Sequence, residues 1–311
     1  MTLRRMAGFA FGAALAAVAA LTALSFCGAF YYPADLFSHF RLHLAAAAVV
    51  LAAGLLLLGP RRAALLAIAL VAINLLAVAP VRTVPVAQAR PGDLALTIVT
   101  FNIWGRNGGL DAVARMLETT AADIVLLQEV GPQADGLLAA LASAYPWRHD
   151  CRRLKWCDVA ILSRAPWVET GTVAPTSDQA SFLWARFERG GRSFTVATTH
   201  LNRPPWPIHL RQIDSVARAV ARLSGPVILA GDFNAAPWSH AISRLIETSG
   251  LAPMAGLRPT WPAALGIAQL PIDHVLVSDG VRNLGVRRGP FAGSDHLPVI
   301  ARVAIGAPTR R

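Results

Sequence analysis

The chain has 311 residues, a formal net charge of +11, and 54% hydrophobic against 15% charged residues. Its arginines are scattered and Lys155 is its single lysine, so the basic balance lacks the clustered stripe of a nucleic-acid-binding surface and reads as compositional bias. The apolar excess is confined to residues 1–80, and the remainder is an ordinary globular sequence long enough for one domain core.

Three apolar stretches open the chain, at about residues 7–30, 42–58 and 63–80, none containing Asp, Glu, Lys or Arg. Each reaches the roughly 17–25 residues that cross a hydrocarbon layer, so three transmembrane helices are expected. The first is too long for a signal-peptide core and no small-x-small cleavage site follows it. Phe26 before Cys27 also argues against a lipoprotein signal. Arg4, Arg5, Arg61 and Arg62 mark the cytoplasmic side by the positive-inside rule. The loop of residues 31–41 and the whole C-terminal domain then face outward. Asn74 is nearly alone as a polar residue in these stretches, which disfavours a transport path.

Residues 81–92, rich in Pro and Gly and without periodicity, read as a linker to a domain over residues 93–305. Leu94–Asn102 alternates like a strand, and Leu110, Val113 and Leu117 recur at helical spacing. Asp123–Gln128 is a short apolar strand, and Leu137–Ala144 is helical. Cys151 and Cys157 bracket a short polar loop. In an oxidising compartment they pair as a disulfide, which agrees with an outward-facing domain; the alternative is two unrelated thiols. Strands follow at Asp158–Ser163, Phe182–Phe187 and Phe194–Thr199. Leu210, Ile213, Val216, Val220 and Leu223 mark an amphipathic helix, Val227–Ala230 a buried strand, and Ser239–Thr248 a further helix. Ile272–Val277 and Val299–Val303 are the last strands. Adjacent strands with no helix between them favour packed mixed sheets covered by helices.

Polar groups gather where these strands begin or end: Asn102, Gln128-Glu129, Thr199-His200-Leu201-Asn202, Gly231-Asp232-Phe233-Asn234, Asp273-His274 and Ser294-Asp295-His296. Taken singly, each has a bland reading as a turn, a cap or a solvated strand end. Brought to one sheet edge, they suit phosphodiester hydrolysis. Glu129 and Asp295 offer hard oxygen ligands for Mg²⁺ or Mn²⁺. Asp232 can take a proton from water. His200 and His296, if protonated, can donate to phosphate oxygens, and a buried Asp273 beside an imidazole would fix its tautomer.

In this order the six motifs resemble the endonuclease/exonuclease/phosphatase (DNase I-like) superfamily over about residues 94–303. The resemblance implies a four-layer α/β sandwich with its active site at one edge of two packed sheets. It implies Glu129 as principal metal ligand, with Asn102 holding the metal or the phosphate and Asp295 as a second ligand. It implies Asp232 as the residue that positions water, helped by Asn234. His200 would contact the phosphate or leaving group, His296 would stabilise the phosphorane, and Asp273 would orient one of the two histidines. Thr260-Trp261-Pro262, Arg203-Pro204-Pro205 and the Cys-to-Cys loop look like bacterial members with N-terminal membrane spans. That likeness points to a bacterial inner membrane, and with the orientation read from the arginines the catalytic domain lies outside. Asn202, Arg203 and Arg211 are candidate substrate-binding residues.

The expected activity is therefore membrane-anchored, metal-dependent hydrolysis of phosphodiesters or phosphomonoesters. The expected substrate is nucleic acid or, as an alternative, a phospholipid headgroup. Nothing in the chain marks a protein partner. A calcineurin-like two-metal enzyme would need a downstream Gly-Asn-His-Asp/Glu segment that is absent from the sequence. A catalytically silent binding module would be expected to have lost an acid or a histidine, and every expected group is in place.

Overall fold

The computed structural model describes residues 3–205 and 207–306. It divides into two units. The first reaches Val81 and takes in the short segment Trp238–Ile242; the second holds the rest of the chain from Arg82.

The first unit contains helices α1 (Leu3–Leu24), α2 (Asp35–Ser38), α3 (Arg41–Leu58) and α4 (Arg61–Val78). Three of them, α1, α3 and α4, are long and apolar enough to cross a membrane. The side chains of Arg4 and Arg5, on which the expected orientation leans, lie outside the described residues. Leu15 and Val18 of α1 pack with Ala48, Leu51 and Leu55 of α3 and with Ala64, Ala67 and Leu70 of α4. Small residues at such contacts let helix backbones approach closely. Gly54 serves the same end, since a Cβ there would strike the Phe11 ring. Asn74 is fully buried and donates to Thr22 Oγ1 and Leu70 O, each at 3.0 Å, so it ties α4 to α1. Helix α1 stops at Leu24, short of the expected residue 30, and Ser25 Oγ turns back to Thr22 O. Between α3 and α4 the chain turns at Gly59, whose φ of 105° suits a residue without Cβ.

The second unit opens with β1 (Leu94–Asn102), α5 (Leu110–Thr120), β2 (Ile124–Gln128) and α6 (Asp135–Ala140). Next come β3 (Trp147–Asp150), β4 (Val159–Ser163), β5 (Glu169–Val173), β6 (Ser181–Arg189) and β7 (Arg192–His200). Then follow α7 (Pro207–Val220), β8 (Val227–Asp232), α8 (His240–Ser249) and β9 (Ala252–Pro253). The unit ends on β10 (Asp273–Val277), β11 (Val281–Arg288) and β12 (Val299–Ile305). The strands form two six-stranded sheets, ordered β11-β12-β1-β2-β4-β3 and β5-β6-β7-β8-β10-β9. Each is mixed: β1–β2 and β7–β8 are parallel, and the other pairs are antiparallel.

Side-chain alternation builds the layers. Leu96, Ile98, Ile124, Leu126, Val159 and Ile161 of the first sheet face Leu183, Phe194, Val196, Ile228, Ala230 and Val275 of the second. The opposite face of the first sheet, with Val99, Phe101, Val125 and Leu127, packs on Val113 and Leu117 of α5 and Leu137 and Leu138 of α6. Helix α7 buries Ile213, Val216 and Val220, and α8 buries Ile242 and Leu245. The result is the expected four-layer α/β sandwich. The segment read as a linker is bonded to it: Val84 N–H donates to Pro253 O, Asn283 Nδ2 donates to Val84 O, and Ala87 N–H donates to Asn283 O. It lies against β11, the edge strand of the first sheet, and so blunts an open edge.

Candidate active site

Strand direction and parity bring the polar groups together. The parallel strands β1, β2, β7 and β8 end at one edge of the sandwich, and the antiparallel strands β4, β10 and β12 begin there. Leu96 and Ile98 of β1 face the inter-sheet core, so Asn102, of the same parity, does too. The same count carries Gln128 from Leu126, His200 from Val196, Asp232 from Ala230, and Asp273 from Val275. Cα pairing sets Asp232 opposite His200 on one side and Asp273 on the other. Beneath this row Gln128 Nε2 donates to Thr198 Oγ1 at 3.0 Å, bridging the two sheets.

Asp232 is the hub. Its Oδ2 accepts from Asn102 Nδ2 at 3.0 Å, and the Nε2 atoms of His200 and His296 each lie 3.6 Å from it. Its Oδ1 accepts from Asn234 N–H at 2.8 Å. Asn102 also donates to Glu129 Oε1 at 3.0 Å, and Glu129 Oε2 accepts from Gly105 N–H at 2.7 Å. Gly231 must lack a side chain, because a Cβ there would strike Thr199 O and part β7 from β8. Ser294 fixes the last loop: its Oγ donates to Asn102 O at 2.7 Å and accepts from His296 N–H at 3.0 Å. Glu129, Asn234 and Trp104 hold φ values of 58°, 48° and 60°. Such conformations cost non-glycine residues roughly 1–2 kcal/mol, and here they turn the chain sharply just past the strand ends.

Each imidazole is held by its own carboxylate. His296 Nδ1 lies 2.9 Å from Asp273 Oδ2, which also accepts from Thr260 Oγ1 at 2.5 Å. His200 Nδ1 lies 2.7 Å from Asp158 Oδ2. Burial opposes charge on both rings, but Asp158 with Asp232 and Glu129 pushes His200 up to about 10. Asp273, Asp232 and Asp295 likewise push His296 up to about 9. Both rings are thereby biased toward the imidazolium form. Asp158 is held below its ordinary value: burial works the other way, and the His200 charge outweighs it.

A family profile described as Endonuclease/Exonuclease/phosphatase family matches residues 99–296, nearly the whole sandwich. The chain belongs to the endonuclease/exonuclease/phosphatase family. Solved structures agree on the fold. An endonuclease/exonuclease/phosphatase from Bacteroides vulgatus is 19% identical with a TM-score of 0.59, covering 68% of this chain and 100% of its own. TDP2 from D. rerio, complexed with a single-strand DNA product, is 18% identical with a TM-score of 0.57, covering 68% and 99%. ANGEL2, described as a 2',3'-cyclic phosphatase, is 15% identical with a TM-score of 0.57, covering 71% and 99%. A comparison with curated protein sequences finds no match. As a member of this family, the chain is a phosphoric ester hydrolase.

The remaining expected residues divide into those that reach the cleft and those that do not. Asn202 and Arg203 line an open pocket of about 470 Å³ with Glu129, His200 and Asn234. The Arg203 guanidinium also lies 5.9 Å from the Trp261 ring centroid. Arg211 is exposed and ion-paired with Asp178 at 2.6 Å, away from that pocket. Asp295 stands beside His296 with Oδ2 held by Trp261 Nε1 at 3.0 Å. Asn102 turns its amide N–H groups to both carboxylates, and its Oδ1 accepts from Trp104 N–H at 2.9 Å. Cys151 and Cys157 are bonded as a disulfide with Cα atoms 5.4 Å apart. Sequence reasoning gave Asp158, Thr260 and Trp261 no role. For Asp158 the available signal was its place at the start of a strand antiparallel to β2, which puts it at the same edge as His200.

The donor set fits a divalent cation. Glu129 lines the open pocket with Arg203, and Asp232 lies 3.6 Å from Nε2 of His296, which Asp295 precedes in the chain, so several carboxylate oxygens gather where an anionic phosphate must enter. Asp295 Oδ1 and Asp273 Oδ1 are buried with no hydrogen-bond partner, as atoms awaiting a cation would be. Atoms of Asp232, Asp273 and His296 also lie within 4.8 Å of one another. In that trio, however, Asp273 Oδ2 is engaged by His296 and Thr260. Glu129, whose carboxylate lines the open pocket, is the better-placed anchor.

Proposed function

We propose that this chain is a membrane-anchored, metal-dependent phosphodiesterase whose catalytic domain faces the outside of a bacterial inner membrane. The observation that carries the reading is Asp232, a buried carboxylate held between two imidazoles, each backed by its own acid. Asp232 Oδ2 accepts the proton of the attacking water, and Asn102 and Asn234 fix the carboxylate for that task. The water oxygen bonds to phosphorus as the ester P–O bond breaks. His296, sealed behind Asp273, donates to the crowded equatorial oxygens at that stage. His200, open to the pocket, gives the departing alcohol its proton. Arg203, on the pocket wall, binds a non-bridging oxygen. Glu129, with Asp295 as a second candidate ligand, would hold Mg²⁺ or Mn²⁺, which supplies neutralisation of charge developing on the phosphate.

Anchoring rests on three helices long enough to cross a membrane. The outward placement rests on Arg61 and Arg62 between the second and third of these, and on a disulfide that suits an oxidising compartment. Nucleic acid is the favoured substrate class: the fold neighbour TDP2 is described with a DNA product and ANGEL2 as a cyclic phosphatase. The test is a substrate panel on the full chain in detergent with Mg²⁺. It compares DNA, RNA, sphingomyelin, phosphoinositides and an aryl phosphodiester, with Asp232→Ala as the blank. If no substrate is turned over faster than the blank, the proposal fails.

A further inference from the structure

A second pocket, of about 370 Å³, opens beside the catalytic cleft and shares His200, Asn202 and Ile208 with it. Its outer wall is Trp156, which is 66% exposed at a φ of 63°. Trp is enriched where one end of a side chain meets a partner and the other stays wet. Trp156 sits in a loop tied down by covalent and hydrogen bonds. The Cys151–Cys157 disulfide closes its loop, and both sulfurs sit in the core between the sheets. Leu154 N–H donates to Cys151 O, Cys157 N–H donates to Leu154 O, and Ser181 Oγ donates to Trp156 O. Lys155 Nζ lies 4.3 Å from the ring centroid and does not line this pocket.

The lining defines what fits. Thr176, Gln179 and Gln212 supply hydroxyl and amide groups. Gln212 is buried and its Oε1 accepts from Asn202 N–H, so the amide NH₂ is the end left to meet a ligand. A polyphosphorylated group would want cations, and among the described residues His200, already assigned to the proposed catalysis, is the one charged donor of the lining. A quaternary ammonium headgroup would want a free carboxylate. The carboxylate present, Asp158, is engaged by His200 and Ser181. An acyl chain would want a continuous apolar wall, which this mixture of hydroxyls and amides breaks. An uncharged, flat group with hydrogen-bonding edges suits it, stacked on the indole and adjoining the phosphate.

We infer that Trp156, presented by the disulfide-closed loop, is a stacking platform for a nucleoside esterified to the scissile phosphate, and that it sets substrate choice. The inference rests on the phosphodiesterase reading above. It is tested on the full chain in detergent with Mg²⁺, using thymidylyl-thymidine, methyl p-nitrophenyl phosphate and glycerophosphocholine as substrates. For Trp156→Ala, the ratio of kcat/KM on the dinucleoside to that on the methyl ester should fall about tenfold, mainly through KM, as loss of base stacking does. Trp156→Phe should restore the ratio to within about threefold, because a ring face is kept. An unmoved ratio in Trp156→Ala, or a wild-type preference for glycerophosphocholine, overturns the inference while leaving the phosphodiesterase reading standing. If the wild type cleaves none of the three, that reading falls first and this inference with it.

Discussion

Replacing Asp158 by Asn keeps the shape beside His200 and removes the charge. The ring rises from 6.5 to about 10 in the folded protein, a preference for imidazolium on the order of 4–5 kcal/mol over water. That figure is net of burial, which opposes the charge, and is shared by Asp158, Asp232 and Glu129. Asp158 is the nearest of these at 2.7 Å and the largest favourable contributor. Without it burial weighs more heavily against the charge, and His200 should titrate back toward its ordinary range. At pH 8 the proton donor is then mostly absent, and turnover should fall roughly 30-fold. The alkaline limb of the pH–rate profile should move down by about three pH units. The linkage has the sign of a raised histidine. Its stabilisation is complete below 6.5 and is lost as pH rises through about 10. The variant should therefore lose most of this alkaline sensitivity in thermal melts. The assay is a pH–rate profile on an aryl phosphodiester, paired with melts over the same pH range. Wild-type rates with an unshifted alkaline limb would refute the assignment of Asp158 as the group that holds His200 charged.

Three further outcomes are expected. His296→Ala should reduce kcat by about 10²–10³-fold with little change in KM, because its donation is used as charge develops; loss confined to KM would instead make it a ground-state binder. Chelation with EDTA should abolish activity, and Mg²⁺ or Mn²⁺ should restore it in wild type but not in Glu129→Ala; activity that survives exhaustive chelation would contradict the cation requirement. Replacing Cys151 and Cys157 together by Ser should lower stability by roughly 2 kcal/mol, as expected for so short a closed loop, or about 4–8 °C in the melting of a domain this size. An unchanged melting temperature would place that loop outside the cooperative unit.

The inner strands and their polar ends were legible because each obeys alternation over a buried face. Ile124–Gln128 and Val227–Asp232 are buried throughout, and both were located within a residue or two. The strands that escaped notice lie toward the sheet margins. Glu169–Val173 is half-exposed with Gly171 at its centre, where a Cβ would strike the Trp184 ring. Val281–Arg288 carries a bulge between Asn283 and Gly285, which breaks the period of two. Trp147–Asp150 has no buried residue to mark a face. The partner of Asp273 was likewise hidden. Both histidines were eligible until the Ser294 loop placed His296 Nδ1 on Asp273 Oδ2. Arg211 lies between Leu210 and Gln212, off the helical stripe of Ile213, Val216 and Val220, and so points to solvent and Asp178.

The two carboxylate–imidazole pairs share a design and differ in burial, and that difference divides the work. His296 and Asp273 side chains are each about 2% exposed, sealed beneath Trp261 and braced by Thr260. A cation so enclosed can reorient little, which suits a fixed donor to phosphate oxygens whose positions scarcely vary between substrates. His200 and Asp158 are 17% and 34% exposed and open onto the pocket walled by Trp156. The same loop that carries Trp156 ends at Cys157, one residue before Asp158. The loop that presents Trp156 therefore ends beside the carboxylate that faces His200. In the proposed mechanism the stacking surface and the acid behind the proton donor are thus two residues apart on one stretch of chain, whereas the His296 pair meets the same Asp232 oxygen from a separate loop.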